Sequence, residues 1–380
     1  MQFLNFDSAA FLRDCWQKRP ALIRNPWVSW ANPLTPDELA GLACEDGVEA
    51  RLITYNASRI AAEEGPFAEV RFAGLGKAPW TLLVQAVDHH VPEVAALLNA
   101  FRFVPNWRID DVMISAASEG GGVGAHFDHY DVFLIQGLGR RRWQVGALCD
   151  AATPLLPHDD LRLLADFVPT EEWELGPGDI LYVPPGFAHN GVALSDDCMT
   201  LSIGFRAPSH SELLAGWCDE LLADLEDDDR YTDPDLTAQA NPGEIAPAAL
   251  AKLHAMVTAK LDDKTAFARW FGEHSSARKY PEVDWSPEQP ITPDELRAEL
   301  AAGAALLRNP ASRFSFVQGA AGHVLLFVDG DSYECAGDLA AFAQQLCGED
   351  RFAVSAASAA TLDLIAALFN QGCVGFEPED

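Results

Sequence analysis

The sequence predicts a mixed α and β protein: a jelly-roll-type β barrel with helical elements before it, then a helical segment, then a winged-helix-like end. Three observations predict it. Short β-rich runs punctuated by glycine and proline fill residues 111–206. Leucine stripes at helical spacing fill 207–290. Small helical segments around an alternating run close the chain at 291–380. The length of 380 residues fits several domains, at roughly 150 residues each, and the boundaries fall at 1–206, 207–290 and 291–380.

In chain order, Phe6, Phe11, Leu12 and Trp16 mark a first helix, with Asp7 or Ser8 as its cap. Pro20 ends it and a short strand follows at Ala21-Leu22-Ile23. Further helices are expected after Thr35-Pro36-Asp37 and from Pro92 to Leu98. Strands are expected at Val112–Ser115, Val132–Gln136, Trp143–Val145, Ile180–Val183 and Thr200–Phe205, with Gln136-Gly137-Leu138-Gly139-Arg140 as a hairpin turn. Leu213, Leu214, Trp217, Leu221, Leu222 and Leu225 form one helical stripe, and Leu250, Leu253, Met256, Val257 and Leu261 another. Asp227-Asp228-Asp229 and Asn241-Pro242-Gly243 separate them. The last part opens with Thr292 as cap and Pro293 at the first helical position. Phe314–Val317 and Val324–Val328 then suggest a hairpin, and helices are expected near 336–346 and 358–369.

Composition narrows the function. Hydrophobic residues make up 49% and charged residues 22%, a globular balance. The net charge of −31 disfavours direct nucleic-acid binding and suits a basic partner. Residues 291–380, with 13 acidic and 4 basic side chains, make a poor phosphate surface despite the winged-helix pattern. Eight cysteines without a C-x-x-C pair argue against a disulfide scaffold or a cysteine-rich zinc site. The N-terminus lacks a signal-peptide pattern and no apolar run is long enough for a membrane span, so a cytoplasmic location is expected.

The chemistry concentrates in Gly120-Gly121-Gly122-Val123-Gly124-Ala125-His126-Phe127-Asp128. Residues i and i+2 of an extended segment face one side, so His126 and Asp128 can share a metal. The segment Gly178 to His189 supplies a third ligand: a strand, a Pro184-Pro185-Gly186 corner, then His189. An H-x-D pair alone is weak, since most histidines are solvated or locally bonded. Joined to His189 inside one β-rich block, it makes the two-histidine, one-carboxylate set of non-haem iron oxygenases.

These two segments resemble the paired cupin motifs in their JmjC form. The string from Gly120 to Gly146, with Ser202–Pro208 and Trp16–Pro20, is similar to the bacterial ribosomal oxygenases. That resemblance implies a JmjC double-stranded β-helix over 1–206, a helical dimerisation region over 207–290 and a winged-helix-like domain over 291–380. It also implies a cytoplasmic homodimer that uses Fe(II), 2-oxoglutarate and O2 to hydroxylate the β carbon of an arginine. The substrate it implies is the sixteenth protein of the large ribosomal subunit, a basic partner.

A dicarboxylate cosubstrate needs a cation for its far end. Arg140, Arg141 and Arg142 offer one, and alternation selects Arg141, which shares a face with Trp143 and Val145. The resemblance selects the same arginine and adds Ser115 as a second carboxylate contact. Glu119, His129, Tyr130 and Asp131 flank the triad and are candidates for the mouth, Glu119 as a partner for a substrate guanidinium. The other histidines, His89, His90, His158, His210, His254, His274 and His323, read as structural or surface residues. Competing functions are histidine hydroxylation of a ribosomal protein, histone demethylation on the same JmjC site, and a non-catalytic cupin-type metal-binding regulator.

Overall fold

The computed structural model describes residues 1–56, 59–76, 78–158, 161–223, 225–226, 230–354 and 357–378. The Asp227-Asp228-Asp229 spacer lies outside the described residues. Two units emerge. One comprises Met1–Ala207, Glu282–Trp285 and Asn309–Ala311; the other comprises Pro208–Pro281, Ser286–Arg308 and Ser312–Asp380.

The first unit carries helices α1 (Ser8–Asp14), α2 (Pro36–Leu42), α3 (Glu69–Ala73) and α4 (Pro92–Ala95). Asp7 caps α1 by accepting the Ala10 N–H, and Thr35 with Glu38 forms a capping box on α2. Its strands are β1 (Ala21–Ile23), β2 (Ala50–Asn56), β3 (Arg59–Glu64), β4 (Trp80–Val84), β5 (Ile109–Ala117), β6 (Asp131–Leu138), β7 (Arg141–Leu148), β8 (Glu171–Leu175), β9 (Ile180–Val183), β10 (Phe187–Ala193) and β11 (Cys198–Phe205). A large antiparallel sheet runs β1-β9-β6-β11-β5-β4-β2-β3, and a small one runs β10-β7-β8.

Side-chain alternation fixes how these sheets are used. On β6, Phe133 and Ile135 join a core with Phe11, Leu39, Phe101 and Tyr182, on the face that carries the N-terminal helices. Val132 and Leu134 point the opposite way, into a second core with Trp143, Val145 and Leu175 of the small sheet. A strand buried on both faces reads as the continuous apolar run seen here. β5 and β11 divide differently. Ile114 and Leu201 enter the first core, while Met113, Ser115, Thr200 and Ser202 line a cavity.

Three expectations need correcting. Residues 50–84, to which the sequence reading gives no element, contribute β2, β3 and β4 and widen the large sheet. The Gln136–Arg140 segment is no hairpin: it links β6 in the large sheet to β7 in the small one, with Gly139 at a φ of 60°. β8 and β10 are additional strands; β10 is short on branched residues, and its pairing with β7 holds it.

The second unit carries α5 (His210–Ala223), α6 (Pro247–Leu261), α7 (Lys264–Ser276), α8 (Pro293–Ala302), α9 (Asp338–Gly348) and α10 (Ala359–Asn370). α7 had no counterpart in the sequence reading; its Phe267 and Trp270 pack around Trp217 of α5. Strands β12 (Leu306–Arg308), β13 (Phe314–Gln318), β14 (Val324–Val328), β15 (Asp331–Cys335), β16 (Arg351–Phe352) and β17 (Val374–Phe376) form two small sheets, one of them the β13-β14-β15 meander. The expected hairpin is present, with Phe314 opposite Val328. α8, α9 and α10 close a core around Leu296, Leu326, Leu346 and Leu368.

Candidate metal centre

His126, Asp128 and His189 converge, each with a ligand atom within 4.8 Å of the others. Asp128 Oδ2 lies 4.0 Å from His126 Nε2 and 3.6 Å from His189 Nε2. The ring centres of the two histidines are 4.3 Å apart. His189 stands on β10. His126 occupies an isolated bridge rather than a regular strand, paired antiparallel to His189 by backbone hydrogen bonds of 3.0 and 2.8 Å.

The glycine loop makes that pairing. Gly120 and Gly121 exchange backbone hydrogen bonds with Ala193, so the loop runs back along β10 from Ala193 to His189. A Cβ on Gly122 would strike the Gly191 carbonyl, which explains the small residue there. The Gly122 carbonyl accepts the Tyr55 hydroxyl at 3.0 Å and the Thr81 hydroxyl at 3.1 Å. Gly186, at a φ of 80°, donates its N–H to the Asp128 carbonyl at 2.7 Å and ties the proline corner to the H-x-D segment.

Both histidines have their tautomer set. Nδ1 of His126 donates to the Gly124 carbonyl at 2.9 Å, and Nδ1 of His189 to the Phe187 carbonyl at 3.0 Å. In the neutral form of each ring, Nε2 is then the nitrogen whose lone pair a metal can take. Burial pushes the His189 imidazolium down to about 4, with the nearby His126 adding to the effect. His189 is thus neutral at pH 7, as a ligand must be.

The triad opens on a cavity of about 390 Å³ that Ser115, Arg141, Trp143, Thr200 and Ser202 also line. Alternation on β7 places Arg141 inward, 3% exposed, whereas Arg140 is outside, its side chain 62% exposed and 3.5 Å from Glu174. The Arg141 Nη2 is buried without a hydrogen-bond partner among the described residues. A guanidinium edge left bare inside a protein is costly unless something supplies an acceptor. Ser115 faces the same cavity from β5, opposite Thr200.

His129 and Tyr130 line the cavity, but two of the flanking residues do not. Glu119 is exposed, its N–H bonded to Asp196. Asp131 is fully buried and holds the fold together: it accepts from Tyr182 at 2.6 Å, Gln17 at 2.9 Å and Arg108 at 3.0 Å. Its carboxylate turns toward the helical face, so it is a structural anchor and not a mouth residue. Four further residues belong to the site: Tyr55 and Thr81, which hold the glycine loop from β2 and β4, and Arg51 and Arg162, which line the cavity. No local pattern marks any of these four.

The sequence matches the JmjC domain family over residues 96–213 and the ROXA-like winged-helix family over 259–374. It is 43% identical to the ribosomal protein uL16 3-hydroxylase of Escherichia coli over 78% of this chain and 79% of that protein. The chain belongs to the JmjC ribosomal oxygenases. A probable ribosomal oxygenase of Haemophilus influenzae is 36% identical over 78% of this chain and 75% of its own length. Among solved structures, E. coli YcfD superposes with a TM-score of 0.91 at 36% identity, covering 99% of this chain and 100% of that one. YcfD in complex with cobalt and 2-oxoglutarate gives a TM-score of 0.87, again at 36% identity and with 99% of each chain covered. The fold is thus the JmjC cupin barrel with its helices, followed by a ROXA-like winged helix.

Proposed function

We propose that this chain is an Fe(II)- and 2-oxoglutarate-dependent oxygenase that hydroxylates the β carbon of an arginine in the basic uL16-type ribosomal protein. The observation that carries the reading is the buried Arg141 Nη2, without a hydrogen-bond partner among the described residues, in the same cavity as the triad. A metal-binding regulator needs no unpaired cation beside its metal; a dicarboxylate cosubstrate does. The residues fit the group on both counts, with two imidazole Nε2 atoms and a carboxylate oxygen for a divalent iron and a guanidinium for the far carboxylate. The name of the E. coli relative supports the ribosomal substrate.

His126, Asp128 and His189 would hold the iron on one face and leave the opposite face to cosubstrate and O2. Arg141 and Ser115 would hold 2-oxoglutarate by its far carboxylate. Bound iron supplies the oxidising chemistry: 2-oxoglutarate and O2 become succinate and CO2 while one oxygen atom enters a substrate C–H bond. The chain's own part is to orient these groups and to keep bulk water from the buried side of the cavity. Mass spectrometry of the basic ribosomal protein after incubation with enzyme, Fe(II), 2-oxoglutarate and O2 tests the reading. One added oxygen on an arginine supports it. Addition on a histidine moves the enzyme to histidine hydroxylation, and no addition on any ribosomal protein refutes the substrate.

We also propose a homodimer through 207–290. Leu214 and Leu222 of α5 are 57% and 64% exposed, and Leu250 and Val257 of α6 are 52% and 63% exposed. Apolar stripes of this kind mark interfaces. Trp217 is excepted, because α7 covers it. Light scattering should give twice the chain mass, and Leu214→Glu with Leu222→Glu should give one. A monomeric wild-type protein refutes the proposal. Among the described residues no helix is long and apolar enough to cross a membrane.

A further inference from the structure

Beside the cavity, four buried side chains form a hydrogen-bonded chain that none of the metal-binding motifs contains. Thr200 and Cys198 stand on β11, Gln136 on β6 and Arg141 on β7. The Thr200 hydroxyl donates to Gln136 Oε1 at 3.3 Å. Gln136 Nε2 donates to the Leu138 carbonyl at 2.6 Å and to Cys198 Sγ at 3.4 Å. Arg141 Nε donates to the same sulfur at 3.4 Å. The amide orientation is consistent throughout, since its oxygen takes a hydroxyl proton and its nitrogen has two acceptors.

A guanidinium offers a carboxylate two bidentate edges, the side formed by Nε and one Nη, or the end formed by both Nη groups. Here the Nε–H is already taken by Cys198, while Nη2 has no partner among the described residues. The guanidinium carbon also sits 5.6 Å from the centre of the Trp143 ring, a second restraint. We propose that Cys198 is a positioning residue for the cosubstrate: by occupying the Nε edge of Arg141 it leaves the Nη end as the one that receives the far carboxylate of 2-oxoglutarate. The proposal rests on the reading of Arg141 as the cosubstrate anchor. Cys198 also packs with Ala117 and Ala193, so its test must separate aiming from packing.

Five full-length proteins decide it: wild type, Cys198→Ala, Cys198→Ser, Arg141→Lys and the Cys198→Ala, Arg141→Lys double variant. Two readouts apply, 2-oxoglutarate binding to the cobalt-loaded protein by calorimetry, and KM against kcat with iron. Cys198→Ala should weaken binding and raise KM about three- to tenfold, the size of one modest hydrogen bond to a charged group, with the loss in KM rather than in kcat. Cys198→Ser keeps an acceptor and should stay within about twofold of wild type, which also covers the case of an unstable alanine variant. A lysine has no Nε edge to occupy, so in the Arg141→Lys background the alanine change should add nothing. Wild-type binding in Cys198→Ala overturns the proposal. So does an equal loss in both backgrounds, which would make Cys198 a packing residue. Unchanged binding in Arg141→Ala, which removes the cation, would instead refute the anchor itself.

Discussion

Each ligand of a facial triad supplies a third of the protein's hold on its metal, so single losses are felt in full. His126→Ala, Asp128→Ala and His189→Ala should each weaken metal binding by roughly a hundredfold or more and abolish turnover, while circular dichroism stays that of the wild type. Full turnover in any of the three would remove that residue from the ligand set. Arg141→Ala should raise the 2-oxoglutarate KM by roughly ten- to a hundredfold, the worth of one or two charged hydrogen bonds. Arg140→Ala should stay within about twofold, because its exposed pair with Glu174 is screened by water. Equal effects at both positions would mean that the register of β7 does not govern the site. These residues were legible because their signals are local: an i, i+2 pair after glycines, and a two-residue period through Trp143 and Val145. Asp131 and Cys198 were not, since what each one does depends on partners from other strands, which no neighbouring residue announces. Asp131 even sits beside the triad in sequence and faces away from it.

The glycine loop joins residue to element. It pairs along β10 because its backbone can approach that strand closely, and the Gly122 carbonyl is held by Tyr55 and Thr81 of β2 and β4. Gly122→Ala would drive a Cβ into the Gly191 carbonyl. Overpacking of this kind costs about 1–3 kcal/mol. The melting temperature should fall by roughly 2–10 °C, and metal affinity should fall with it, since His126 is carried on the same loop. Gly176→Ala meets nothing within 4 Å and should change neither. A Gly122→Ala protein with wild-type melting and metal affinity would show that the close approach is not needed. The same scale explains what the sequence reading could resolve. Capped helices such as α2 and α8 announce themselves through Thr-Pro-Asp-Glu, with the capping box formed in both. β3 escapes because Arg-Ile-Ala-Ala-Glu-Glu is poor in β-branched and aromatic residues and is held as a strand by its pairing with β2. The β6–β7 link escapes because Gly-Leu-Gly has the composition of a hairpin turn, while tertiary packing sends the two strands to different sheets.

At the scale of the whole molecule the dominant fact is charge, −31 over the chain. It has no bearing on which bond is oxidised, because the triad and Arg141 act over a few ångströms inside a shielded cavity. It bears on encounter. A polyanionic surface raises the local concentration of a cationic partner and speeds association, an effect that fades once separations exceed the Debye length. The two contributions respond differently to salt. Going from ~0.05 M to ~0.3 M ionic strength should lower kcat/KM for the intact basic ribosomal protein by roughly tenfold. A short peptide carrying the proposed target arginine presents fewer charges to the field and should lose only about two- to threefold. The kcat at saturation should hold for both, since no encounter step limits it there. Steady-state assays of the two substrates across that salt range make the comparison. Equal salt sensitivity would place the recognition in the few residues around the arginine. The acidic surface would then serve solubility and not capture.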